Sequence, residues 1–86
     1  MMKNDIDSKL VLTVFDKIIK HGEKKGDEHF LMGITVYTDF DGYTLFIEDA
    51  LVKLNFGFHN KYHFNYDKEE HFANFVKKLK EIQQQY

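Results

Sequence analysis

Cysteine and arginine are absent from the 86 residues, and serine occurs once, at Ser8. Without cysteine there is no disulfide scaffold, no thiolate metal site, no iron–sulfur cluster and no cysteine nucleophile. Without arginine there is no planar, bidentate clamp for guanine or phosphate. Twelve lysines against fourteen acidic residues leave a formal charge of −2, which argues against a dedicated nucleic-acid or anionic-membrane surface. No apolar run approaches the length of a membrane span, and the start, Met1-Met2-Lys3-Asn4-Asp5-Ile6-Asp7, lacks the basic-then-apolar order of a secretory signal. The expectation is a cytoplasmic chain with no membrane partner. What the chain does have is 43% hydrophobic residues, including nine Phe and five Tyr, beside 30% charged residues. That composition is enough for one folded core over residues 1–86 and too apolar for intrinsic disorder.

Ile6, Leu10, Val11, Val14, Phe15 and Ile18 recur at three- and four-residue steps, predicting an amphipathic helix from about Asp5 to His21. Asn4 or Asp5 would cap it, Asp7 suits its first turn, and Lys17, Lys20, His21 and Gly22 suit its end. Leu12 and Ile19 widen its apolar face. Gly22 to Asp27 reads as a solvated connector. From Phe30 to Tyr37 the period is two, with Phe30, Met32, Ile34 and Val36 on one face, predicting a strand. Asp41-Gly42 then predicts a hairpin into Tyr43–Glu48, and a short turn at Asp49-Ala50 leads to a third strand, Leu51 to Phe58. Two-residue turns would set Val36 opposite Ile47, Tyr37 opposite Phe46, Ile47 opposite Val52, Leu45 opposite Leu54 and Tyr43 opposite Phe56. A longer loop of the same parity would change the partners and leave the faces unaltered.

The last element starts with Asp67-x-x-Glu70, the form of a capping box, and carries Phe72, Phe75, Val76, Leu79, Ile82 and Tyr86 at helical spacing, predicting a helix from about Lys68 to Gln84. The expected fold is therefore α+β: an α-β-β-β-α two-layer sandwich, in which a three-stranded antiparallel meander carries two helices on one face. Its expected core is Val14, Phe15, Ile18, Met32, Ile34, Val36, Leu45, Ile47, Val52, Leu54, Phe56, Phe72, Val76 and Leu79. This order of elements is similar to the double-stranded-RNA-binding fold. The second helix, however, opens with Asp67-Lys68-Glu69-Glu70-His71, whose carboxylates would repel a phosphate backbone, so nucleic acid is not the expected ligand.

Helices on one face leave the other in water. There Tyr37, Phe46 and Leu51 would lie beside Lys53, Thr35 and Asn55, an apolar centre with a polar rim of the kind protein interfaces favour. Tyr62, from the aromatic stretch Phe56 to Tyr66, joins this candidate surface. The plainer reading of that stretch makes Phe58, Tyr62, Phe64 and Tyr66 a lid on the core, with Tyr66 stapled against the last helix. The leading functional reading is a non-catalytic module that binds another protein or itself, with no cofactor. The alternative is a zinc or nickel site from His59, His63 and His71, because three neutral imidazoles with an open position suit either ion. His59-x3-His63 converges mainly when a helix carries both rings, whereas Gly57, Asn60 and Asn65 point to a loop. Asp39, Asp41, Gly42 and Glu48 coincide with part of a calcium-loop pattern, but Tyr37 occupies its first position, and turn chemistry explains Asp-Gly. No nucleophile stands beside a base and no glycine-rich phosphate loop occurs, so no enzymatic activity is expected.

Three segments, Thr38-Asp39-Phe40-Asp41-Gly42-Tyr43-Thr44, Gly57-Phe58-His59-Asn60-Lys61-Tyr62-His63-Phe64 and Glu69-Glu70-His71-Phe72, give the chain a further likeness. Over nearly its whole length it resembles a family of short bacterial proteins known only as a domain of unknown function. The resemblance implies a small stand-alone protein and brings no activity, ligand or site residue with it.

Overall fold

The alternation from Phe30 to Tyr37 is broken at its middle. Met32 and Gly33 both have positive φ, 54° and 81°, the requirement of a mirror-image two-residue hairpin turn, so the expected single strand is two. The computed structural model describes residues 8–57 and 61–86. Its elements are α1 (Ser8–His21), β1 (Glu23–Lys25), β2 (Glu28–Leu31), β3 (Ile34–Thr38), β4 (Leu45–Glu48), β5 (Lys53–Gly57), β6 (Lys61–Asn65) and α2 (Glu69–Gln85). The strands lie in chain order, and each is antiparallel to its neighbour. Over the described residues the fold is thus α+β with two helices, and the expected three-stranded meander is corrected to six strands.

Each correction has a local cause. Met32 leaves the core because it sits at the β2–β3 tip, where its side chain is exposed, and Leu31 packs against the core instead. The connector after α1 holds β1 and a turn at Gly26, whose φ is 61°. The aromatic stretch expected to be a loop contains β6, with Leu54 opposite Phe64 and Phe56 opposite Tyr62. Between β4 and β5, Asp49 Oδ1 accepts the amides of Leu51 and Val52, both at 2.8 Å, and the Asp49 amide donates to the Val52 carbonyl at 3.0 Å. That closes a four-residue loop over 49–52, so Ile47 faces Leu54 in place of Val52, and Leu45 faces Phe56 in place of Leu54. The shift is two residues, so the side chains of β4 and β5 keep their expected faces. Val36 opposite Ile47 and Tyr37 opposite Phe46 stand as expected.

At α2 the capping box does not form. Lys68 is the N-cap residue and makes no side-chain cap bond, while the Tyr66 hydroxyl donates to Glu69 Oε2 at 2.9 Å. The expected caps of α1 at Asn4 and Asp5, with Asp7 in its first turn, lie outside the described residues, as do Phe58 and His59. The apolar stripe of α1 is narrower than expected, because Leu12 and Ile19 are exposed.

One cluster joins the layers. Leu10, Val11, Val14 and Ile18 of α1 and Phe72, Phe75, Val76, Leu79 and Ile82 of α2 close on Ile34, Val36, Ile47, Val52, Leu54 and Phe56, all buried. Phe15, Leu31, Leu45, Tyr62, Phe64 and Tyr66 pack around them, half-buried. At about 25 cal/mol per Å² each large side chain contributes roughly 1.5–3 kcal/mol, so this cluster is the main stabilising term. α1 lies over β2 and β3 and packs along α2, and the two C-terminal ends meet where the His21 and Tyr86 rings are 5.3 Å apart. α2 starts over β6, with Phe72 edge-on to Phe64 at 5.0 Å and stacked on Tyr66 at 4.9 Å.

Candidate functional surface

Side chains alternate across a strand, so the residues between the core positions form the opposite face. Among the described residues no helix covers it. The pairing lays two rows across the sheet. Phe30, Thr35, Glu48, Lys53 and Asn65 are successive cross-strand neighbours, and Tyr37, Phe46, Asn55 and His63 form the row beside them. At the middle of the sheet Tyr37 and Phe46 stack with ring centres 4.8 Å apart and planes 14° from parallel. Lys53 Nζ lies 5.5 Å from the Phe46 ring centre and 3.8 Å from Glu48 Oε1, and the Tyr37 hydroxyl donates to the same oxygen at 3.3 Å. One carboxylate thus ties an ammonium and a phenol around an aromatic pair, which fixes the rings in place without burying them. Towards the β1 edge, Phe30 is 40% exposed beneath Lys25 Nζ, 5.6 Å from its ring centre. Towards the β6 edge, Asn55 Oδ1 is buried between the Phe46 and His63 positions without a hydrogen-bond partner.

The five expected surface residues divide. Tyr37, Phe46 and Lys53 come together on the open face. Leu51 is exposed in the β4–β5 loop and turns towards α2, because the two-residue shift removes it from the strand. Tyr62 stands on the helix-covered face, its ring 5.1 Å from that of Phe56, since β6 places it opposite a core residue. The lid reading fits Tyr62, Phe64 and Tyr66 as packed side chains, with a strand in place of the loop. The hydrogen bond to Glu69, together with partial desolvation and the carboxylate's charge, holds the Tyr66 phenol above its ordinary pKa.

The two described histidines of the expected set, His63 and His71, do not come together. His63 is exposed on the open face, His71 is on α2 on the opposite side of the sheet, and His59 lies outside the described residues. Among the described residues no group of three or more His, Asp or Glu side chains is placed to hold a metal ion. In the calcium-like stretch Asp39 Oδ1 accepts the amides of Tyr43 and Thr44 at 3.0 and 3.3 Å, which is turn chemistry. A concavity of about 320 Å³ lies between the β4–β5 loop and α2, lined by Asp49, Leu51, His71, Asn74, Lys77, Lys78 and Glu81. Lys78 Nζ reaches Asp49 Oδ2 at 3.8 Å across it, and His71 Nδ1 is buried without a hydrogen-bond partner.

Phe40, fully exposed at the β3–β4 loop tip, went unread in the sequence, and Phe30, expected on the core face with Ile34 and Val36, projects from the open face because the Met32-Gly33 turn reverses the parity of β2. The signal for Phe40 was an aromatic inside Asp39-Phe40-Asp41-Gly42, where the turn itself requires none.

No described helix is long and apolar enough to cross a membrane. Residues 6–86 match the model of a family described as protein of unknown function (DUF3081). No curated protein and no solved structure matches the chain.

Proposed function

Starting from a chain that belongs to this family of proteins of unknown function, we propose that it is a non-catalytic interaction module whose open sheet face docks a protein partner. The observation that carries the reading is the Tyr37–Phe46 stack at the middle of the uncovered face, braced by Glu48 and Lys53. Preformed aromatics at the centre of a flat surface cost little side-chain entropy on binding, and their burial dominates interface energetics. Lysine and glutamate around them form a rim of both signs, suiting a partner surface with an apolar centre and mixed charge.

The test compares wild-type protein with the double variant Tyr37→Ser, Phe46→Ser as immobilised bait in native extract. The expected result is a defined partner retained by the wild type and lost by the variant, whose circular dichroism stays close to wild type and whose thermal unfolding stays cooperative at a midpoint lowered by loss of the Tyr37–Phe46 stack. A partner retained equally by a folded variant would place recognition elsewhere.

A further inference from the structure

The two edge strands of the sheet are built differently. β1 is three residues long, Glu23-Lys24-Lys25, and every one is exposed. Shortness and charge are how soluble proteins keep an edge from recruiting another strand. β6 is five residues long and pairs one-to-one with β5 from Gly57↔Lys61 to Lys53↔Asn65, with no bulge. From Tyr62 to Asn65 it has no Lys, Asp or Glu, and the chain contains no proline to interrupt it. Among the described residues no strand pairs with its outer side, so alternate backbone N–H and C=O groups there point away from β5. The Tyr62 and Phe64 rings remain half-buried at this edge although both pack against the core.

We propose that β6 pairs antiparallel with β6 of a second copy, about a two-fold axis through His63, joining two six-stranded sheets into one. The register follows from the side chains. Centred on His63, all five residues are used: Lys61 faces Asn65 of the second copy, Tyr62 faces its Phe64, and His63 faces its His63. A register moved by one residue would set covered-face aromatics against open-face polar residues. Moving the axis by one residue to Tyr62 or Phe64 leaves three of the five residues paired. In the His63 register the covered-face row Phe56–Tyr62 continues into Phe64 and Leu54 of the second copy, so the half-exposed rings at each edge cover one another. A closed two-fold arrangement consumes both unprotected edges and leaves only the two charged β1 edges at the ends. The open-face aromatics take no part in it.

The absence of native cysteine makes the axis directly testable. Opposed Cα atoms in an antiparallel pair lie about 4.5–5.5 Å apart, within disulfide reach. Under mild oxidation His63→Cys is expected to form a covalent dimer, whereas Thr35→Cys, in the middle of the open face, stays monomeric. Sedimentation of the wild type is expected to show a dimer. His63→Lys, which opposes two ammonium groups at the axis, is expected to weaken it by at least about tenfold with thermal unfolding of the monomer unchanged. The Tyr37→Ser, Phe46→Ser variant should dimerise as the wild type does. A wild type monomeric at several hundred micromolar, a dimer that His63→Lys leaves intact, or cross-linking through Thr35→Cys in place of His63→Cys would overturn the proposal.

Discussion

The two faces of this sheet are written in the same strands, one residue apart, and follow opposite rules. On the covered face Ile34, Val36, Ile47, Leu54 and Phe56 are buried beneath the helices. On the open face Thr35, Tyr37, Phe46, Glu48, Lys53 and Asn55 keep contact with solvent and bond mainly to one another. The difference separates two tasks. Burial under the helices fixes the fold, and the alternate positions are left free to carry recognition, so stability and binding should respond to different substitutions.

The largest effect is expected on the covered side. Phe72 is fully buried and touches both Phe64 and Tyr66, so Phe72→Ala should cost about 3–5 kcal/mol in urea unfolding, because the cavity cannot be filled by its neighbours. Next comes the junction of the two layers at Gly22. A Cβ there would sit 2.6 Å from the carbonyl oxygens of both Ile18 and Phe30, so Gly22→Ala must push the end of α1 away from β2. A loss of roughly 2 kcal/mol, seen as a lower unfolding midpoint, is the expected result. On the open side Phe46→Ala removes the stacking partner of Tyr37 and should cost about 1 kcal/mol, measured in the same way. A cost at Phe46 equal to that at Phe72 would erase the distinction between the faces. The smallest change is a gain. Met32 holds a left-handed φ of 54°, and Met32→Gly should raise stability by about 0.5–1 kcal/mol by relieving that backbone, with no effect on either face.

The helices, the β3–β4 register and the facing of the core residues of β3, β4 and β5 were legible because periodicity survives errors in loop length. Ile47 faces the helices whether it meets Val52 or Leu54. The three additional strands were hidden for separate reasons. Met32 is not a residue that marks a positive-φ turn, so the hairpin at Met32-Gly33 looked like continuous alternation. β1 has no apolar residue to show a period. In β6, Asn65, with Gly57 and Asn60 ahead of the strand, read as loop chemistry, although His63 and Asn65 are the open-face positions of an edge strand. Three of the five candidate surface residues were legible for the same reason. Tyr37, Phe46 and Lys53 depend only on parity, whereas placing Leu51 needed the Asp49 loop and placing Tyr62 needed β6.

The most direct measurement is a chemical-shift map of isotope-labelled protein titrated with the partner that the wild type captures. The largest shifts are expected at Tyr37, Phe46, Lys53, Asn55 and His63, with Leu51, His71, Asn74 and Lys77 unmoved. Shifts concentrated on the α2 concavity, with the Tyr37 and Phe46 resonances unchanged at saturation, would contradict recognition through the open face.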